Sequence, residues 1–131
     1  MSEPDAGSSS AGVVTGQVPA RDRTRTVLVE IGAERARQDA RWGEQNHPDG
    51  TGPDVPVLAA LGDDRPAAVL RELARDHCDQ EFAAGQGVFR QILTEEVFEA
   101  YAESDPAALR AELVQVAAVA VAWIEAIDRR T

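Results

Sequence analysis

The fold is decided by one stretch of the chain, residues 92–127, which reads ILTEEVFEAYAESDPAALRAELVQVAAVAVAWIEAI. Apolar residues recur in it at spacings of three and four, the period of an amphipathic helix, on both sides of Asp105-Pro106. Asp105 can cap a helix that starts at Pro106, because the first turn does not use the N–H that proline lacks. We therefore predict a third helix over about 88–103 and a fourth over about 106–129, running antiparallel.

Upstream of this hairpin, the sequence predicts two further helices separated by a long loop. The first helix covers about 23–41 and the second about 66–84. The apolar side of the first helix would carry Leu28, Ile31, Gln38 and Trp42. Prolines and glycines interrupt residues 43–63 too often for a long element, so we expect a loop with one short helical turn, a candidate cover for a substrate. The predicted fold class is all-α, an antiparallel bundle of about four helices completed by oligomerisation.

Composition limits the function before any motif is considered. The 131 residues carry a net charge of -10, and the sequence contains arginine but no lysine. An acidic protein is poorly suited to bind a nucleic-acid polymer or an anionic membrane, and the absence of lysine excludes a P-loop and a Schiff-base mechanism. The length suits one domain, with residues 1–20, rich in Ser, Gly and Pro, as a disordered tail and 21–131 as the folded part.

Cysteine use and the apolar segments favour a soluble, cytoplasmic protein. Cys78 is the only cysteine, so no internal disulfide can form, and we expect it to be a buried apolar residue. The N-terminus lacks the basic start and apolar stretch of a signal peptide. The longest run without a polar residue, 116–124, is shorter than the ~20 residues that span a bilayer.

Carboxylates interrupt the apolar sides of both predicted hairpin helices. Glu96 lies among Ile92, Leu93 and Ala100, and Glu112 lies between Leu109 and Val116, with Glu95, Glu99 and Gln115 beside them. An ionised carboxylate is unfavourable in an apolar stripe unless it has a partner. Glutamates brought together repel one another, whereas a hard divalent cation makes the same arrangement favourable. The alternative is an ordinary solvated acidic helix face.

The pair EEVFE at 95–99 and ELVQ at 112–115 resembles the EExxE…ExxD signature of the all-α nucleoside triphosphate pyrophosphohydrolases, the MazG-like superfamily. The upstream segment ERARQDARWGEQNHPDGTG at 34–52 is similar to that of phage and actinobacterial members. The resemblance implies nucleotide-pool housecleaning: magnesium-dependent cleavage of a nucleoside triphosphate between its α and β phosphates, giving the monophosphate and pyrophosphate.

The resemblance also implies roles for individual residues. The metal ligands would be Glu96, Glu99, Glu112 and Gln115. The metal would be magnesium, or manganese in its place. Glu95 and Glu96 would be catalytic, Glu95 being associated with the metal or positioning the attacking water. Gln115 departs from the motif, because it stands in the place of its aspartate and its amide oxygen brings no charge. The alternative function is therefore a catalytically impaired helical module that binds a nucleotide or a protein.

Four further residues are candidates for substrate binding: Trp42, His47, Asp49 and Arg90. Each also has an ordinary interpretation, since an aromatic at helical spacing is often core, NHPDG is typical turn chemistry, and arginines are common on surfaces. Finally, the fourth helix is apolar nearly all round over 113–124, more than one small domain can bury. This predicts a homodimer or homotetramer.

Overall fold

The computed structural model describes residues 18–130, and every regular element within that range is helical. The elements are α1 (Ala20–Trp42), a short 3-10 turn (Ala59–Leu61), α2 (Ala67–Ala83), α3 (Phe89–Tyr101) and α4 (Pro106–Arg130). The predicted all-α class is confirmed. So are the four predicted helices and the helical turn in the long loop. Most of the predicted tail, 1–17, lies outside the described residues, and Ala20 already begins α1.

The α3–α4 hairpin has the predicted cap. The Asp105 carboxylate accepts a hydrogen bond from the backbone N–H of Ala108 at 2.9 Å, and its carbonyl accepts one from Leu109 at 2.8 Å. At the other end of the pair, the rings of Phe89 and Trp123 stack with centroids 5.7 Å apart. Because the first residue of α3 meets the last third of α4, the two helices run antiparallel.

Helix α2 packs against α3 and, among the described residues, not against α4. Buried Gln91 joins the two helices: its Oε1 accepts a hydrogen bond from the Val88 N–H at 3.0 Å, and its Nε2 lies 3.2 Å from Nε2 of His77. The buried core consists of small and medium side chains: Val27, Ala67, Leu70, Cys78, Ala100, Ala102, Leu109 and Val121. Such a core leaves much apolar surface uncovered.

Helix α1 packs on α4 alone among the helices. The Thr24 hydroxyl donates a hydrogen bond to Glu125 at 2.7 Å, and Val27 is the buried residue of α1. The predicted apolar side of α1 is not covered within the chain, since Leu28 and Trp42 are 52% and 61% exposed. With a single neighbouring helix, only the side of α1 that carries Val27 is covered.

The second half of the long loop is anchored to the ends of two helices. Thr51 donates its hydroxyl hydrogen to the Glu103 carbonyl, and the N–H of Gly52 bonds the Tyr101 carbonyl at 2.9 Å. The N–H of Ala67, at the start of α2, bonds the Val55 carbonyl at 2.9 Å. Residues 43–50 are exposed. The anchored part of the loop thus lies at the C-terminal end of α3, and a role as substrate cover stays a prediction.

Helix α4 is long and apolar enough to cross a membrane by length and composition alone. It has 25 residues, and its most apolar 18-residue window has a mean hydropathy of 1.6, with 11% of that window buried. Core helices of soluble proteins pass the same test, so this is weak evidence for a membrane span. It does mean that the single chain leaves most of this helix uncovered.

Candidate functional site

The four glutamates that the sequence singles out are all half-buried. We call Glu95, Glu96, Glu99 and Glu112 the acidic cluster. Two turns separate Phe89 from Glu96, so both side chains leave α3 on the same side, the one that packs against α4. Glu112 lies three turns before Trp123 on the matching side of α4. The antiparallel hairpin therefore sets Glu96 and Glu112 against each other.

The surroundings of Glu96 clearly perturb its carboxyl group. Burial raises its pKa above the ordinary value, and the negative charges of Glu112, Glu95 and Glu99 raise it further. All four causes act in the same direction, because burial and like charge both disfavour the ionised form. Glu96 is thus near enough to the other three carboxylates for their charges to affect it.

Glu99 has a cationic partner that the sequence argument missed. A guanidinium nitrogen of Arg75 on α2 lies 2.5 Å from the Glu99 carboxylate, whose side chain is 19% exposed. Arg75 also pairs with Glu72 at 3.3 Å. The hydrogen bond and the charge of Glu99 raise the pKa of Arg75. The sequence argument did not consider an arginine from another helix as a partner for the cluster.

Glu95 also faces α2 rather than α4. The buried Cys78 thiol hydrogen-bonds Glu95, and burial, followed by that hydrogen bond and the nearby charges, raises the pKa of Cys78 to about 11. The prediction that Cys78 is a buried residue is confirmed. The acidic cluster is therefore divided between two interfaces. Glu95 and Glu99 meet side chains of α2, whereas Glu96 and Glu112 meet between α3 and α4.

A second arginine of α2 lies one turn before Arg75. The Nε of Arg71 is buried without a hydrogen-bond partner and lies 3.7 Å from a carboxylate oxygen of Glu72. A buried guanidinium nitrogen without a full partner is costly, so this group has unused capacity to bind an anion. The only sequence signal for Arg71 and Arg75 was their i, i+4 spacing, which is equally typical of a solvated face.

The donor chemistry of the acidic cluster suits a hard divalent cation, since it offers carboxylate oxygens and no competing soft ligand beyond a protonated thiol. The positions of these side chains fit a metal ion less well than their chemistry does. Over residues 18–130, no group of three or more His, Cys, Asp or Glu side chains converges closely enough to hold a metal. Cation binding would require Glu99 to leave Arg75 and the carboxylates to turn toward one another. Gln115, the remaining predicted ligand, is exposed.

The predicted substrate contacts lie in two different places. Trp42 is exposed at the end of α1, where the Arg41 guanidinium lies 4.6 Å over its ring. His47 and Asp49 are exposed in the loop, and no hydrogen bond or ion pair between described residues links them to the acidic cluster. Arg90 instead lines an open groove with a volume of about 770 Å³ at the other end of the hairpin, beside Trp123.

Comparison of the chain with protein-family models, with curated proteins and with solved structures finds no match. The resemblance of the two glutamate motifs to the MazG-like enzymes therefore stays a prediction.

Proposed function

We propose that the protein is a cytoplasmic, magnesium-dependent nucleoside triphosphate pyrophosphohydrolase that acts in nucleotide-pool housecleaning. The observation that carries this proposal is the placement of Glu96 against Glu112, with two further carboxylates near enough to raise the pKa of Glu96. Carboxylates placed near one another lower stability unless a cation joins them. A divalent cation bound among these carboxylates would offset their repulsion.

In this proposal Glu96, Glu99 and Glu112 hold the magnesium ion, or manganese in its place, and Gln115 adds a neutral amide oxygen. Magnesium usually retains several waters and shares its coordination between a few carboxylates and the substrate phosphates, which suits an incomplete protein ligand set. When bound, the ion supplies positive charge against the phosphate oxygens. Glu99 leaves its ion pair with Arg75 when the magnesium ion binds.

The remaining side chains activate the attacking water and bind the phosphates. Glu95 accepts a proton from a water molecule, whose oxygen bonds to the α-phosphorus while the bond from that phosphorus to the α–β bridging oxygen breaks. The products are the nucleoside monophosphate and pyrophosphate. Arg71, and Arg75 once it is free of Glu99, are suited to bind the charged phosphate oxygens.

The test is pyrophosphate release from a panel of canonical and modified nucleoside triphosphates with magnesium. We expect Glu96→Gln and Glu112→Gln each to lower the rate by at least about 100-fold, since each removes a ligand. Glu30→Gln is the matched control, because it removes the same charge from an exposed site on α1. Release of inorganic phosphate alone, or full activity in both cluster variants, would refute the proposal.

One specific observation favours the alternative, a catalytically impaired module of the same fold that binds a nucleotide or a protein. Arg75 already neutralises Glu99, and the exposed Gln115 replaces the aspartate of the motif. Both features lower the negative charge available to a metal. Binding of a nucleotide without release of pyrophosphate would favour this module, and recovery of turnover in Gln115→Asp would identify the lost ligand as the cause.

A further inference from the structure

The open groove at the far end of the α3–α4 hairpin combines two kinds of side chain that the acidic cluster lacks. Its charged lining is Arg90 from the start of α3 and Arg129 and Arg130 from the end of α4. Its apolar floor is the stacked pair Phe89 and Trp123. We call this the arginine groove. Its volume of about 770 Å³ lies in the usual range for pockets that bind small molecules.

The charge of the arginine groove is exceptional for this protein. The chain has a net charge of -10, yet three of its arginines line one groove. Three guanidinium groups gathered in one groove favour a polyanion, above all one with phosphate oxygens.

The aromatic floor favours a ligand that also has a flat ring. Phe89 and Trp123 lie almost parallel, with an interplanar angle of 7°, and a flat ligand ring beside the arginines can extend this stack from its outer side. Planar heterocycles stack on such surfaces, and the indole ring is the strongest aromatic partner for cationic and stacking contacts. A simple inorganic anion would use the arginines and leave this surface unused.

We propose that the arginine groove is a metal-independent binding site for a nucleotide, with the phosphates on the arginines and the base on the Phe89–Trp123 pair. Glu96 follows Phe89 by seven residues, about 10 Å along α3, and none of the four glutamates of the acidic cluster lines the groove. The site goes beyond the proposed hydrolase activity. It needs no magnesium and no functional carboxylate.

The test uses the fluorescence of Trp123 in EDTA, where the acidic cluster has no cation and repels a triphosphate. In a Trp42→Phe background, Trp123 is the only remaining tryptophan of the two in the chain. We expect saturable quenching by adenosine triphosphate at low salt. Adenosine and inorganic tripolyphosphate should each bind at least about tenfold more weakly, because each makes only one of the two kinds of contact.

Variants then assign the binding to the groove. Arg90→Gln combined with Arg130→Gln should weaken binding about tenfold or more, whereas Arg110→Gln, an exposed arginine near the opposite end of α4, should not change it. Circular dichroism of each variant checks that the helices are intact. An indole N–H chemical-shift change of Trp123 on addition of adenosine triphosphate provides a second readout that does not depend on quenching.

The outcomes separate this site from the proposed active site. Glu96→Gln should abolish magnesium-dependent pyrophosphate release but retain adenosine triphosphate binding in EDTA. Absence of binding in EDTA, binding that requires magnesium, or equal binding by wild type and the Arg90/Arg130 variant would overturn the arginine groove as a nucleotide site. Equal binding of tripolyphosphate and adenosine triphosphate would overturn the stacking of a base on Phe89 and Trp123.

Discussion

At the residue scale, Glu96 has a protonation equilibrium that links the candidate site to stability. The fold raises its pKa above the ordinary value of 4.5, so between the unfolded and folded pKa values the folded chain binds more protons than the unfolded chain. Stability therefore falls as pH rises through that window, and the penalty is fully present above the folded pKa. A residue that weakens the fold at neutral pH is typical of a functional site.

Without divalent ions, Glu96→Gln should raise the free energy of unfolding at neutral pH by roughly 0.5–1 kcal/mol, because it removes one of several like charges. Below pH 4.5, where Glu96 is already protonated in both states, the gain should disappear. Urea unfolding at the two pH values measures this. Glu30→Gln should give no such pH-dependent gain. A neutral-pH loss of stability in Glu96→Gln would contradict the assigned electrostatics.

Arg75 is the residue that decides how much negative charge the acidic cluster keeps. Arg75→Gln should lower the free energy of unfolding only modestly, because its side chain is 40% exposed. The same change should strengthen magnesium binding, since Glu99 no longer has a competing cation. Calorimetric titration with magnesium measures the second effect.

The control for Arg75 is Arg37→Gln, which breaks an exposed pair with Glu34 on α1. It should change neither stability nor magnesium affinity by a measurable amount. Weaker magnesium binding in Arg75→Gln than in wild type would mean that Glu99 is not a ligand. Together the two arginine variants test whether the Arg75–Glu99 pair competes with the metal.

At the element scale, local patterns predicted the helices well and their packing partners poorly. The period of apolar residues and the Asp105-Pro106 break were sufficient to locate α3 and α4, and they placed Glu96 on the interface. No local pattern could show that α2 packs beside Glu95 and Glu99, because that contact joins residues more than 15 positions apart. The cationic and thiol partners of the cluster were missed for this reason.

In helix α1, the spacing predicted that Leu28 and Ile31 share one apolar side. Only one helix packs against α1, and that contact buries Val27 instead. Periodicity indicates which residues share a side of a helix and does not indicate whether a neighbour covers that side.

The hairpin turn gives a prediction at the same scale. Asp105→Ala should destabilise the protein by about 1 kcal/mol, because the N–H of Ala108 at the start of α4 loses its side-chain acceptor. Asp105→Asn keeps an acceptor oxygen and should retain most of the stability. Urea unfolding compares the variants. Equal stability of Asp105→Ala and wild type would mean that solvent satisfies this N–H at no cost.

At the scale of the whole molecule, the described chain leaves apolar surface on two adjoining helices. Leu28 and Val29 of α1 are 52% and 66% exposed, and Leu113 and Val114 of α4 are each 51% exposed. Exposed apolar surface is typical of a protein interface, and the small alanines of α4 permit close approach of another helix. A net charge of -10 also keeps non-specific association low, which favours a specific assembly.

We therefore expect a homodimer or homotetramer in which α1 and α4 of each copy cover those of another. Val29→Glu and Leu113→Glu should each convert the assembly to monomer, because either places a charge within the apolar contact. Gln80→Glu, which adds the same charge to an exposed position of α2, should leave the mass unchanged. Light scattering measures the mass of each. A monomeric wild type, or one that partitions into neutral lipid vesicles through α4, would contradict assembly as the use of this surface.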